Sequence, residues 1–276
     1  MLKQRTITAL ILAPLAIALV LLSPTWLFAL VIAALFLVAA WEWSLLAGVR
    51  TPGARAAFVV FSAALFALAW PLHGRAEAGY VTGAGVVWWL ASLAWLRNFS
   101  YAAAPTTENT AIKLAACELA IVPAWLAAMH MHEQAPHGRY WVLLALLLVW
   151  AADTGAYFAG RRFGTTKLAP RISPNKTRAG MWGALVVSGA LALVGGWLLG
   201  WRGVWLAGLL VVALVAVLAS IVGDLVESLL KRQANVKDSG ALFPGHGGLL
   251  DRADSLFAAV PVFVAGKALL DLLRAS

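Results

Sequence analysis

The chain has 276 residues, of which 62% are hydrophobic and only 12% charged. Soluble domains carry about 25% charged residues, so this composition excludes an ordinary soluble fold. The net charge of +9 is read as basic loops against anionic lipid headgroups and an anionic substrate, with no nucleic-acid partner.

Nine apolar stretches approach the length of about 20 residues that crosses a bilayer as a helix. In chain order they cover 7–22, 26–46, 56–72, 80–96, 111–130, 140–159, 180–200, 203–230 and 253–273. The third and fourth are the weakest signals, because Gly79, Gly83 and Gly85 dilute helix propensity,. The eighth is long enough to continue past the membrane. The expected fold is therefore all-α, a polytopic integral membrane helix bundle of about nine transmembrane helices. No small-residue cleavage site follows the first run, which is expected to be a retained helix. Cys117 is the single cysteine and reads as a small buried hydrophobe,.

Charge sets the expected orientation. With a cytoplasmic N-terminus, the outside segments hold only Arg75, Arg139, Arg202 and Arg274, and Lys113 and Lys267 fall within spans. Every other Lys and Arg then faces inward, as the positive-inside rule requires. Trp26, Trp43, Trp70, Trp95, Trp141, Trp182 and Trp201 lie near span ends and are expected as interfacial anchors,. His73, His130, His132 and His137 are expected in solvated outside loops. Glu42 and Glu118 are expected to bond between helices, without chemistry of their own. Residues 1–135 form a motif-poor N-terminal set of helices. Residues 136–276 carry both long cytoplasmic loops, 160–180 and 231–252, and form the expected catalytic region of one embedded unit.

Three polar constellations stand out in that second half. At the end of the sixth span, Asp153 sits on an apolar helix with Tyr157 on the same face,. A carboxylate there needs a cation, a hydrogen-bond donor or a proton. Next, Ser173-Pro-Asn-Lys176-Thr177 precedes a helix start at Gly180, where backbone amides favour anions. The third is the densest. Asp224, Glu227, Ser228 and Lys231 fall at offsets that form one stripe on the eighth helix,. Pro244-Gly245-His246-Gly247-Gly248 follows, a loop whose amides can approach phosphate closely,. Asp251 and Asp254 then open the last span on one face. Asp224 and Asp251 thus lie at the ends of two helices joined by one loop. Paired carboxylates with oxygen-only neighbours suit Mg²⁺. Lys231, Arg232, Lys237 and Arg252 would neutralise phosphate.

Residues 228–254 closely resemble the signature of the phosphatidate cytidylyltransferases, also called CDP-diacylglycerol synthases. The match runs through Ser228, Lys231-Arg232, Lys237-Asp238, Gly240, Pro244, His246-Gly-Gly248, Asp251-Arg252 and Asp254. Asp153-Thr-Gly-Ala-Tyr-Phe and Ser173-Pro-Asn-Lys-Thr177 are similar to that family as well. The family often continues the latter segment with Trp-Glu-Gly, where this chain has Arg178-Ala179-Gly180. Ala253 also replaces a usually bulkier residue.

The resemblance implies transfer of a cytidylyl group from CTP to phosphatidic acid, giving CDP-diacylglycerol and pyrophosphate. On that reading Asp224 and Asp251 hold the metal, supported by Asp254 or Glu227. Lys231, Arg232 and Lys237 contact phosphates, and Gly245 to Gly248 wrap the triphosphate, with His246 shaping the loop or touching phosphate. Asp153, Ser173, Lys176 and Thr177 complete the chamber. The family further implies a second cation beside Mg²⁺, a homodimer, and the bacterial cytoplasmic (inner) membrane with the site facing the cytoplasm. A secondary transporter is the rival reading of Asp153 and Asp224, but the polar residues cluster in a loop and no inverted repeat is visible. The Asp-Gly-x-x-Ala-Arg run of the CDP-alcohol phosphotransferases is absent.

Overall fold

The computed structural model describes residues 2–242 and 247–276, with side chains from residue 12 onward. Gly245 and His246 therefore lie outside the described residues. The helices are α1 (Leu2–Leu22), α2 (Thr25–Leu46), α3 (Pro52–Ala69), α4 (Ala78–Arg97), α5 (Thr107–Glu133), α6 (Gly138–Phe163), α7 (Arg178–Leu198), α8 (Gly203–Gln233) and α9 (Leu250–Ala275). A 3-10 turn, Trp70–Leu72, extends α3. Eight of these helices are long and apolar enough to cross a bilayer, and α1 adds the apolar stretch Leu12–Leu22. The two weak spans are both helices, although Gly79, Gly83 and Gly85 all fall in α4, because backbone groups in lipid must bond within their own segment. This is an all-α polytopic membrane protein.

One departure from pure helix sits between α6 and α7. Strands β1 (Lys167–Ala169) and β2 (Ser173–Thr177) pair antiparallel, with Lys167 opposite Thr177 and Ala169 opposite Ser173. The segment expected as a loop is thus a small hairpin. It ends where Thr177 caps α7, its Oγ1 accepting from Gly180 N at 3.1 Å,.

Helix α5 forms the centre of the bundle, packed against α2, α4 and α9. Its Ile121, Leu126 and Met129 are fully buried. Indole donors fasten its neighbours. Trp125 donates to Ala29 O at 3.0 Å, Trp43 to Lys113 O at 2.9 Å, and Trp89 of α4 to Phe257 O of α9 at 3.0 Å. The expectation of interfacial tryptophans is corrected here. Trp26 and Trp182 are exposed as anchors require, but Trp43, Trp95, Trp141 and Trp201 are buried between helices. The histidine expectation is corrected as well. His132 is only 3% exposed, contacts Thr25 Oγ1 at 3.0 Å and Val20 O at 2.9 Å, and stacks on Phe28. His130 lies 2.6 Å from His73 O, and His73 pairs with Glu133 at 2.7 Å. Helix α5 runs several residues further than the hydropathy pattern suggested, which draws both histidines into the fold.

Two tight helix pairs frame the polar region. In α6 and α7 the backbones touch through glycine: a Cβ on Gly155 would collide with Gly183, and one on Gly183 with Ala159. In α8 and α9, a Cβ on Gly223 would stand 2.5 Å from the carbonyl of Asp254. Small residues at helix crossings let backbones approach this way in membranes. The C-terminal ends of α2, α6 and α8 and the N-terminal ends of α7 and α9 gather at one end of the bundle.

Replacing Gly155 with valine should cost about 1–3 kcal/mol of stability. It would be read as a lower midpoint of thermal unfolding in detergent micelles. An unchanged midpoint would mean that α6 and α7 do not approach this closely.

Candidate active site

The polar stripe of α8 faces the first turn of α9. Asp224, Glu227 and Asp254 each offer a carboxylate oxygen, and these atoms lie within 4.8 Å of one another. The α8 pair follows from helical spacing, and the close crossing at Gly223 brings Asp254 to it. Glu227 is 1% exposed, and its Oε1 has no hydrogen-bond partner. Asp254 is buried, accepting from Ser255 N at 2.7 Å. At an effective dielectric of about 20, two unit charges about 5 Å apart repel by roughly 3 kcal/mol. Such a group calls for a cation. Its all-oxygen donors suit a hard divalent ion, and the unpartnered Glu227 oxygen leaves a position for one.

The protein's own cations meet part of that demand. Lys231 pairs with Glu227 at 2.5 Å and with Asp251 at 2.6 Å. Lys176 of β2 pairs with Asp224, and Ser228 Oγ lies 3.3 Å from Asp224 Oδ1. Asp153, exposed on α6, feels the charges of Asp224, Lys176 and Arg252. The hairpin is held to α8 by Arg232, whose Nε donates to Ile172 O at 3.3 Å. Gln233 donates to Phe99 O at 2.9 Å and Tyr101 O at 3.0 Å, tying the end of α8 to the segment after α4.

The sequence-derived residues are thus partly regrouped. Asp251 is not part of the three-carboxylate group. Its Oδ1 meets Lys231, and its Oδ2 accepts from Ser239 N at 3.0 Å and Gly248 N at 2.8 Å. Asp251 organises the loop and the lysine, whereas Glu227 and Asp254 stand with Asp224. Gly248 commits its amide to Asp251. Thr177 spends its hydroxyl on the α7 cap, and Arg232 spends its Nε on the hairpin. Ser173 opens β2, the strand that also carries Lys176, and Lys237 and Arg252 are exposed. Gly247 adopts φ +79 close to Asp251, a turn that favours glycine. Tyr157, on the face shared with Asp153, turns its hydroxyl to Arg161 at 3.0 Å. Arg178, at the departure from the family pattern, is exposed on the first turn of α7.

Glu42 on α2 was assigned no chemistry from the sequence, yet it reaches this region. Leu249 N, Leu250 N and Ser239 Oγ all contact its carboxylate. Its only signal in the sequence was a carboxylate within an apolar run.

Fold and site together define an integral membrane helix bundle with a carboxylate–lysine chamber built where a two-stranded hairpin and two helix ends converge. The model of the cytidylyltransferase family matches residues 3–269, and the chain belongs to that family. It is 42% identical over 271 residues to the phosphatidate cytidylyltransferase of Pseudomonas aeruginosa, covering 96% of each chain. It is 35% identical over 285 residues to that of Haemophilus influenzae, covering 95% of this chain and 97% of the relative. The protein of the same name from Staphylococcus saprophyticus is 39% identical over 164 residues, covering 59% of this chain and 62% of its own.

Truncating Lys231 to alanine would leave Glu227 and Asp251 without their shared cation. Breaking a buried ion pair costs about 3–5 kcal/mol. The expected result is a lower unfolding midpoint in micelles, partly recovered when Glu227→Gln is added. Equal midpoints for wild type and K231A would show that the lysine does not balance these carboxylates.

Proposed function

We propose that this chain is a phosphatidate cytidylyltransferase, transferring a cytidylyl group from CTP to phosphatidic acid to give CDP-diacylglycerol and pyrophosphate. The observation that carries the reading is the Asp224, Glu227 and Asp254 group beside Lys231, within a chain of this family. A phosphate oxygen of the lipid forms the new bond to the α-phosphorus of CTP. The bond from that phosphorus to the β-phosphate oxygen breaks, and pyrophosphate leaves with the electron pair. The nucleophile is already ionised near neutral pH, so no side chain is needed as a base. Catalysis then rests on positioning and on balancing phosphate charge.

Asp224, Glu227 and Asp254 would hold Mg²⁺. When bound, it would neutralise charge on the nucleotide phosphates. Lys231 stays with Glu227 and Asp251, offsetting part of their combined charge. Lys176, paired with Asp224, is placed to turn toward phosphate once Asp224 is otherwise balanced. Arg252, Lys237 and Arg232 ring the chamber and attract the anionic substrates. Asp153, on the side of the chamber formed by α6, repels misplaced phosphate and helps to orient the basic groups. A second cation, a homodimeric assembly and a site on the cytoplasmic side of a bacterial inner membrane complete the proposal. The positive-inside charge bias supports that orientation.

Purified protein should convert phosphatidic acid only when both CTP and Mg²⁺ are supplied. Losing several kcal/mol of charge stabilisation corresponds to about a thousandfold in rate, so Asp224→Asn should lose activity on that scale while still inserting into membranes. Full turnover by D224N, or by wild type without divalent ion, would remove the proposed metal site.

Orientation has its own check. Cys117 is fully buried, so a Val236→Cys variant presents one accessible thiol. A membrane-impermeant maleimide should label it in inside-out vesicles and not in intact spheroplasts. The reverse pattern would invert the topology.

A further inference from the structure

Helix α9 begins without a cap of its own. Its N-cap residue is Leu249, and no side chain of the local sequence accepts from the first amides. Those amides point at a residue some two hundred positions earlier. Glu42, from the last turns of α2, accepts from Leu249 N at 3.1 Å through Oε1 and from Leu250 N at 2.8 Å through Oε2. Its side chain is closed off from solvent, the residue being 6% exposed. A carboxylate is stable at that depth because amide donors and the positive end of a helix face it.

The surroundings are shaped to this carboxylate. A Cβ on Gly240 or on Gly248 would overlap it. Two glycines of the loop signature are therefore small in order to admit Glu42, and one of them, Gly248, has already given its amide to Asp251. Ser239 links the two acids. Its Oγ lies 3.0 Å from Glu42 Oε2 and 3.0 Å from Asp251 Oδ2, and its backbone N also donates to Asp251. Asp251 then holds Lys231, and Lys231 holds Glu227. The same first turn of α9 carries Asp254. An unbroken series of polar contacts runs from α2 to the three-carboxylate group.

We infer that Glu42 is a positioning residue. It caps α9 from across the bundle and fixes Ser239 and Asp251, so the placement of Lys231 and Asp254 depends on a side chain of the otherwise motif-poor N-terminal half. Its effect on turnover rests on the cytidylyltransferase reading; the capping itself does not.

The test uses full-length Glu42→Gln protein in lipid nanodiscs. Glutamine keeps the shape but turns an NH₂ group toward amide donors. Two readouts are taken: hydrogen–deuterium exchange of the amides at 247–253, and kcat and KM for CTP. Losing a charge-assisted cap should speed exchange at Leu249 and Leu250 by about tenfold or more, with α5 unchanged. Displaced catalytic groups should lower kcat about 10- to 100-fold while KM for CTP moves by less than about threefold. Exchange that stays at the wild-type rate overturns the inference whatever the activity does, and faster exchange with undiminished kcat overturns the positioning role. Faster exchange in a chain whose wild type transfers no cytidylyl group keeps the cap and removes the proposed reaction. Should E42Q fail to insert, Ser239→Ala serves instead. It removes one donor to Glu42 and should speed exchange at the same amides about threefold; no change there overturns the cap.

Discussion

Like charge held together in oil is the constraint on which the chamber depends. Asp224, Glu227 and Asp254 place carboxylate oxygens within 4.8 Å of one another on two largely apolar helices. Nothing in the hydrophobic packing favours that arrangement. It persists because α8 and α9 are locked at Gly223, because Lys231 lies between Glu227 and Asp251, and because Lys176 reaches in from β2. Each of these contacts comes from a different part of the fold. The hairpin between α6 and α7 thus has an electrostatic task as well as a connecting one, and Arg232 keeps it seated.

Desolvated charge also explains why one aspartate of the last helix serves differently from the other. Asp251 and Asp254 are three residues apart and begin on one face. Asp251 is close enough to the loop to be captured by two backbone amides and a lysine. Asp254, one turn deeper, meets the α8 acids Asp224 and Glu227 instead. Depth along one helix therefore divides a loop-organising acid from one that joins the three-carboxylate group, with the same side chain in both places.

Much of this was legible in the sequence, because the bilayer limits the choices. Backbone groups in lipid must bond within their own segment, so the nine apolar runs correspond to nine α-helices among the described residues, with ends displaced by only a few residues. The α8 stripe was legible because 3.6-residue periodicity fixes which side chains share a face. What could not be read was contact between distant segments. Pairing Asp224 with Asp251 follows from chain proximity, whereas the crossing at Gly223 that brings Asp254 to Asp224 and Glu227 leaves no mark in chain order. Glu42 was set aside because its partners are backbone amides, which leave no mark in a sequence. The buried tryptophans misled for a related reason: a position near a span end does not reveal whether an indole faces lipid or a neighbouring helix.

Helix α8 carries one further consequence. It passes without interruption from apolar residues to Asp224, and seven residues later to Lys231. At 1.5 Å per residue that is about 10 Å, about one and a half to two times a headgroup layer of roughly 5–7 Å on each side of the hydrocarbon. The helix works as a ruler along its own axis, its graduations being acids at the lower marks and a base at the upper. Molecules anchored by acyl tails come to it at one height and water-borne ones at another. Where they meet is set by helical pitch.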